Sequence, residues 1–394
     1  MNQNNRFSDR FDWTLCFLLL LFFLISCIAI YSGQSSNQYE GNFVVSQIKN
    51  YVVGAIIVAI VMYFDSEQIR RLTWLLYGLG ILLLVGLFIA PESIAPERKG
   101  ATLWYIIPGL GSVQPSEFVK VFLIIALSKI IADHHLKYQA KTAGTDFFLL
   151  IKLGAATLPP LGLIIIEDLG TALVIIAILT GIILVSGITW KILVPIYGIL
   201  GAFAGTVLYL VIIAPEILEK YLGIDPYQFS RIYSWLDPVN HKQGAGMQLY
   251  NSMLAIGSGL ISGKGFTDRQ VYVPDAHTDF IFSVIGEEYG FFGASVVISL
   301  FFLLIYHLTK TGLETTDPFN TYICVGVISM ITFHVFQNIG MTIQVLPITG
   351  IPLPFISYGG SSLMGNMMAM GLIFSIRYHH KTYMFSTDSN YVAK

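Results

Sequence analysis

Charge is what this sequence has least of. Only 12% of its 394 residues are Asp, Glu, Lys or Arg, against 55% hydrophobic, where soluble chains carry roughly 25% charged residues. Such a composition belongs to an integral membrane protein. The formal net charge of -2 gives no basic surface of the kind nucleic-acid binding needs. No Gly-rich phosphate loop of the Walker or Rossmann kind occurs, which argues against an ATP-driven pump. Cysteines number three. Cys16, Cys27 and Cys324 all lie inside apolar runs without CxxC or Cys/His spacing, so neither zinc nor a disulfide framework is supported, and inert buried thiols are expected. Tandem repeats and a separate soluble domain are missing too.

Long apolar runs are what the chain does have. A spanning helix needs about 20 mostly apolar residues, and on that rule ten spans are expected, near 13–31, 47–64, 72–90, 116–133, 147–166, 170–186, 192–214, 279–306, 321–343 and 359–377. The reading is an all-α polytopic membrane protein, one domain over 1–394, with a large outer loop at 215–278 between the seventh and eighth helices. Pro159-Pro160 should break or kink the fifth span. Near the start, Arg6 and Arg10 precede an apolar run in which Leu24-Ile25-Ser26-Cys27 fits a lipoprotein cleavage box. The run continues to Ile30 and Tyr31, a spanning length, so a first transmembrane helix is expected instead.

Basic residues set the orientation. With the N-terminus inside, the inner connections carry Arg70, Arg71, Lys129, Lys137, Lys141, Lys191, Lys310, Arg377 and Lys381, while the short outer connections at 32–46, 167–169 and 344–358 carry no Lys or Arg. Both termini are therefore expected in the cytoplasm. Arg98, Lys99, Lys220, Arg231, Lys242, Lys264 and Arg269 fall in the long outer segments 91–115 and 215–278. They suit a solvated surface as well as a site for an anionic headgroup.

Ionisable groups at the edge of an apolar layer are costly and point to function. Val271 to Gly290, VYVPDAHTDFIFSVIGEEYG, gathers Asp275, His277, Asp279, Glu287 and Glu288 where a polar loop enters an apolar helix. Asp279 is the foremost candidate for chemistry. The helix dipole favours its ionised form, which suits a base and equally a structural cap, although Thr278 could cap in its place. Earlier, Pro115 and Ser116 open a helix that puts Glu117 and Lys120 on one face, either as a self-neutralising pair or as part of a pocket. Glu167 and Asp168 stand between the fifth and sixth spans, where the Asp168 side chain could cap the sixth. Leu346 to Ser362, LPITGIPLPFISYGGSS, cannot form an ordinary helix. It reads as a re-entrant loop or a rigid connector, since such backbone at membrane depth must be buried in protein or line a cavity.

Gln114-Pro115-Ser116-Glu117-Phe118, Asp168-Leu169-Gly170-Thr171, His277-Thr278-Asp279-Phe280-Ile281-Phe282 and Pro347 to Gly360 occur in that order. Together they closely resemble the SEDS family of bacterial membrane proteins, the RodA and FtsW type, over essentially the whole chain. The resemblance implies a ten-helix peptidoglycan glycosyltransferase that polymerises lipid II outside the cytoplasmic membrane, beside a class B penicillin-binding protein that cross-links the glycan. It maps the family's catalytic acid onto Asp279 and its pocket onto Trp104, Glu117, Lys120 and Asp168. Members often carry Arg or Lys-Ser before that Trp, where this chain has Thr102-Leu103, which puts those two positions in doubt. The Pro91 to Pro96 run and short tails look more like RodA, the elongation and shape branch, than like FtsW, the division branch.

Residues and resemblance agree on a mechanism. Asp279 acts as general base on the 4-hydroxyl of incoming lipid II, and that oxygen displaces a lipid pyrophosphate from the anomeric carbon of the growing chain. Pyrophosphate is a good leaving group that needs positive charge. Lys120 has the resemblance behind it for this role, Lys264 and Arg269 their location, and His277 joins them as a substrate-binding candidate. No cofactor is firmly implied, and a divalent cation, Mg or Mn, is left open as a helper. A lipid II flippase is the competing function, but it needs a charged path across the membrane, and here polarity concentrates at the outer face. A scaffold that only positions a partner is a third, under which changing Asp279 would be harmless.

Overall fold

The structure, a computed structural model, describes residues 10–34, 41–97, 101–107, 111–213, 226–240 and 244–380. Arg6, Arg98, Lys99, Gly100, Lys220, Lys242 and Lys381 lie outside the described residues. Twelve helices and one two-stranded hairpin make up the described chain: α1 Trp13–Gln34, α2 Phe43–Tyr63, α3 Ser66–Ile89, β1 Tyr105–Ile107, β2 Gly111–Val113, α4 Pro115–Lys137, α5 Ala143–Ile165, α6 Leu169–Val185, α7 Trp190–Ile213, α8 Pro226–Leu236, α9 Ala245–Ser258, α10 Ile281–Glu314, α11 Pro318–Thr342 and α12 Gly360–His379. Every expected span falls on a helix. Seven of them, α1, α2, α3, α5, α7, α10 and α11, are long and apolar enough to cross a membrane by length and composition.

α4 is not among these seven. It carries Glu117 and Lys120 yet has buried residues along its whole length, because it stands inside the bundle against α3, α5, α6, α11 and α12. A helix covered on all sides by protein can hold polar groups that lipid would not accept. α12 packs along α2, close enough that a Cβ on Gly54 would fall 2.8 Å from Met367. Phe22 of α1, Phe301 of α10 and Phe355 meet at the centre with ring centroids 4.6 and 5.5 Å apart.

α5 runs through both prolines instead of breaking. Pro160 has no N–H to offer the carbonyl four residues back, and Tyr77 of α3 fills that place, its hydroxyl donating to Ala156 O at 2.8 Å. α10 departs from expectation in the other direction. Gly290 (φ 58°, ψ -151°) interrupts it, and a Cβ there would lie within 2.8 Å of Gly263 N, Ile261 O and Gly259 O. The carbonyls freed at the break are met from the loop, Lys264 N on Glu287 O and Gly265 N on Glu288 O, both at 3.0 Å.

Among the described residues of 226–280, helices and loops are tied to the bundle by specific bonds. α8 docks where α11 ends, Trp235 Nε1 donating to Gln344 O and Gln344 Nε2 returning a bond to Trp235 O. α9 ties to α11 through Ser252 Oγ on Thr342 O, and to the loop after it through Asn251 Nδ2 on Tyr272 O. α7 packs on α8 around Val211, with Tyr233 Oη donating to Val211 O at 2.7 Å.

Candidate active site

Four helices begin at one end of the bundle, and their starts are joined side chain by side chain. Gln114, just ahead of α4, donates from its side chain to Asp168 at 3.1 Å and from its backbone to Ser361 Oγ at 2.9 Å. Asp168 caps α6, accepting from Thr171 N at 2.9 Å and Thr171 Oγ1 at 2.6 Å. The start of α10 is bound to the 347–360 loop that leads into α12: Ser357 Oγ donates to Thr278 O at 2.6 Å and Tyr358 N to His277 O at 2.9 Å. Helix amino ends carry partial positive charge, so four together favour an anion.

The 347–360 loop is the hub. Its irregular backbone survives at depth because neighbours supply donors for its carbonyls, as buried backbone requires. Gln337 Nε2 reaches Pro347 O at 2.8 Å, Asn338 Nδ2 Ile351 O at 2.8 Å, and Tyr51 Oη Phe355 O at 2.5 Å. Ser26 Oγ reaches Ile356 O at 2.8 Å and Gln47 Nε2 Ser357 O at 3.3 Å. Gly350, at φ +74°, puts its open side 3.5 Å from Asp279 Oδ2, and a Cβ on Gly170 would lie 2.9 Å from Thr349 O. Asp279 and the neighbourhood of Asp168 therefore meet through this one loop.

Asp279 is half-buried. α10 starts after it, with Phe280 at the N-cap and no side-chain cap bond, while Thr278 Oγ1 donates back to Asp275 O. Thr278 is thus turned to the preceding turn and does not cap α10. His277 is buried and stacks on Phe43 at 4.7 Å. Burial pushes its imidazole below the usual range, against the charge of Asp275, which raises it.

Glu117 and Lys120 form a buried ion pair of 2.8 Å, and Lys120 Nζ also lies 3.1 Å from His334 Nε2. His334 Nδ1 faces Pro352 O at 3.4 Å, so this pair is also tethered to the hub. Trp104 is half-buried. It comes after Thr102 and Leu103, which line a narrow crevice with Leu84, Leu87, Phe88, Ser116, Leu163, Ile164 and Glu167. Thr102 N donates to Glu167 at 3.0 Å.

Lys264 and Arg269 go elsewhere. Both turn to Glu287, Lys264 Nζ at 2.7 Å and Arg269 Nε at 3.8 Å. The same carboxylate accepts from Gln270 N at 2.8 Å and Val271 N at 3.0 Å. Ser32 of α1 bonds Glu288. The five non-glycine residues of positive φ among the described residues, Leu260, Thr267, Asp275, Gln344 and Phe355, all lie in segments flanking the site, as backbone strain often does at functional centres. His334, Gln337, Tyr51, Gln47 and Ser26 were missed by sequence reasoning, since each looks like an isolated polar residue in an apolar helix. The spacing of His334 and Asn338, four apart on one face, was the available signal.

Fold and site define a multi-pass helical membrane protein with a polar site at one end of the bundle, organised around the irregular 347–360 loop. A family model described as a cell cycle protein, covering FtsW, RodA and SpoVE, matches residues 9–382, and the chain belongs to this family. Stage V sporulation protein E of Bacillus subtilis (strain 168) is 31% identical over 93% of this chain and 96% of its own length. The peptidoglycan glycosyltransferase MrdB of Escherichia coli (strain K12) is 30% identical over 96% of this chain and 98% of its own. A solved chain from a peptidoglycan synthase complex that coordinates polymerization and crosslinking superposes with TM-score 0.73, at 26% identity, over 93% of this chain and 97% of that one.

Proposed function

We propose that this protein is a peptidoglycan glycosyltransferase that polymerises lipid II at the outer face of the cytoplasmic membrane. One observation carries the reading. The carboxylate of Asp279 stands against Gly350, on the same loop whose Pro352 carbonyl faces the partner of Lys120. A base and a buried cation are thus both tied to one loop, the cation through His334.

In the reaction, Asp279 takes the proton of the acceptor 4-hydroxyl as its oxygen bonds the anomeric carbon. The bond from that carbon to the pyrophosphate oxygen breaks, the electron pair leaves with the pyrophosphate, and the configuration inverts. Lys120 and the gathered helix amino ends offset the charge that develops. Glu117 holds Lys120 in its buried place, Asp168 fixes the turn beside Thr349, and Trp104 offers a face to the sugar. We assign Lys264 and Arg269 first to Glu287, and to the substrate only if that carboxylate releases them. Among the described residues no three His, Cys, Asp or Glu gather to hold a metal ion; an Mg or Mn helper would be held largely by the substrate pyrophosphate.

The topology that serves this reaction has ten crossing helices, both termini inside and the 215–278 segment outside. The end opposite the site supports it, with Arg70 paired to Asp133 and Arg377 to Glu314 and Lys129 on Arg70 O, in keeping with basic inner loops. A class B penicillin-binding protein is the partner proposed, since the structural relative belongs to a synthase complex. Service in elongation and shape is proposed over division from the Pro91 to Pro96 run. Purified protein in vesicles with fluorescent lipid II tests the activity against its rival. Long glycan on the protein's outer side supports the polymerase, whereas lipid II crossing the bilayer without polymer makes the protein a flippase.

A further inference from the structure

His334 and Asn338 sit one turn apart on the same face of α11, and both are buried. Each reaches two partners. His334 lies between Lys120 and Pro352 O. Asn338 Nδ2 donates to Ile351 O at 2.8 Å and to Asp279 O at 2.7 Å. Consecutive carbonyls of the hub, 351 and 352, are thus gripped by one helix that also reaches the two chemical groups.

We propose that Asn338 is a positioning residue that fixes the Asp279 main chain against the 347–360 loop, and through α11 sets the base relative to Lys120. This rests on the reading of Asp279 as the base. The chemistry selects the residue type. An amide nitrogen has two hydrogens, and here both are spent on carbonyls of separate segments. Aspartate, of the same shape, presents an acceptor to two acceptors. Leucine, of similar volume, leaves two buried carbonyls without donors. Asp279 itself is carried just ahead of the helix, on a loop with Asp275 at φ 51°. A group placed from a packed helix is held more closely than one placed from a loop.

The test uses full-length protein with Asn338→Asp and Asn338→Leu. Three quantities are read: kcat and KM for lipid II, thermal unfolding, and amide hydrogen exchange across 277–280 and 351–358. A displaced base costs about a hundredfold in kcat while KM stays within about threefold, because substrate contacts elsewhere remain. Exchange should quicken at Tyr358, whose N–H bonds His277 O, in the same variants. Full kcat in a folded Asn338→Leu protein overturns the proposal. So does lost kcat with unchanged exchange in both segments, which would make Asn338 a substrate contact. Should one variant not fold, the other decides. Failure of the underlying reading has its own sign: Asp279→Ala keeps polymerising, and the exchange result then still judges whether Asn338 holds the two segments.

Discussion

Two irregular segments build this site, and they are held in opposite ways. The 347–360 loop carries no charge, and its carbonyls are satisfied by Ser26, Gln47, Tyr51, Gln337 and Asn338 from α1, α2 and α11. The 259–280 segment is charged, and one fully buried carboxylate, Glu287, gathers Lys264, Arg269 and two backbone amides of it. The first is anchored by many modest bonds from outside; the charged side chains of the second converge on one strong centre on α10, beside single bonds to the Tyr272, His277, Thr278 and Asp279 carbonyls. Distributed support loses little when a member is removed, while concentrated support fails at a single residue.

The largest expected effect comes from that contrast. Glu287→Ala strands a lysine and an arginine beside a closed break and should cost about 3–5 kcal/mol, the range for removing one partner of a buried pair, seen as a large fall in the thermal midpoint. Glu287→Gln keeps an acceptor for Gln270 N and Val271 N and should fall less. A midpoint unchanged in both would mean the loop does not depend on its carboxylate. In α4, Lys120→Met leaves Glu117 buried and unpaired, with a penalty of similar size, about 3–5 kcal/mol. Adding Glu117→Gln should restore most of the stability without restoring polymerisation. Restored activity in the double variant would remove Lys120 from the chemistry.

Smaller effects sharpen the other side of the comparison. Tyr51→Phe leaves Phe355 O without its donor and should cost about 1–3 kcal/mol, with the site still formed because its neighbours hold. A collapse on the scale of Glu287→Ala would show that the hub is not supported in a distributed way. The smallest effect is a pH slope. The lowered pKa of His277 means the unfolded chain binds the proton first. His277 then adds stability that is present above about pH 6.5 and is lost as pH falls from there toward its folded pKa. His277→Asn should flatten the midpoint between neutral and mildly acid pH. An unaltered slope would place its source elsewhere.

Legibility in the sequence divides along the same line. The hub was legible because Pro347, Gly350, Pro352 and Pro354 forbid a helix in an otherwise apolar stretch. Glu117 and Lys120 announced their pairing by helical spacing, and Asp168 announced its cap by standing directly before the apolar run of α6. The attachments of Lys264 and Arg269 to Glu287 were not legible, since they depend on the 259–265 backbone packing against the break at Gly290, which no local pattern encodes. Pro159-Pro160 were legible as a break or kink that neighbouring protein could compensate, but not the identity of the donor, since Tyr77, which supplies it, is distant in sequence. The donors of the hub escaped notice because a lone Ser, Gln or Tyr in an apolar helix looks the same whether it faces lipid, core or a loop carbonyl.

The most direct measurement is the rate of lipid II polymerisation by purified protein with the proposed class B penicillin-binding protein, comparing wild type with Asp279→Ala and Asp279→Asn. Losing a general base should lower kcat about 100- to 10,000-fold, in variants that still fold and still bind the partner. Glycan strands made at the wild-type rate by either folded variant would contradict the account.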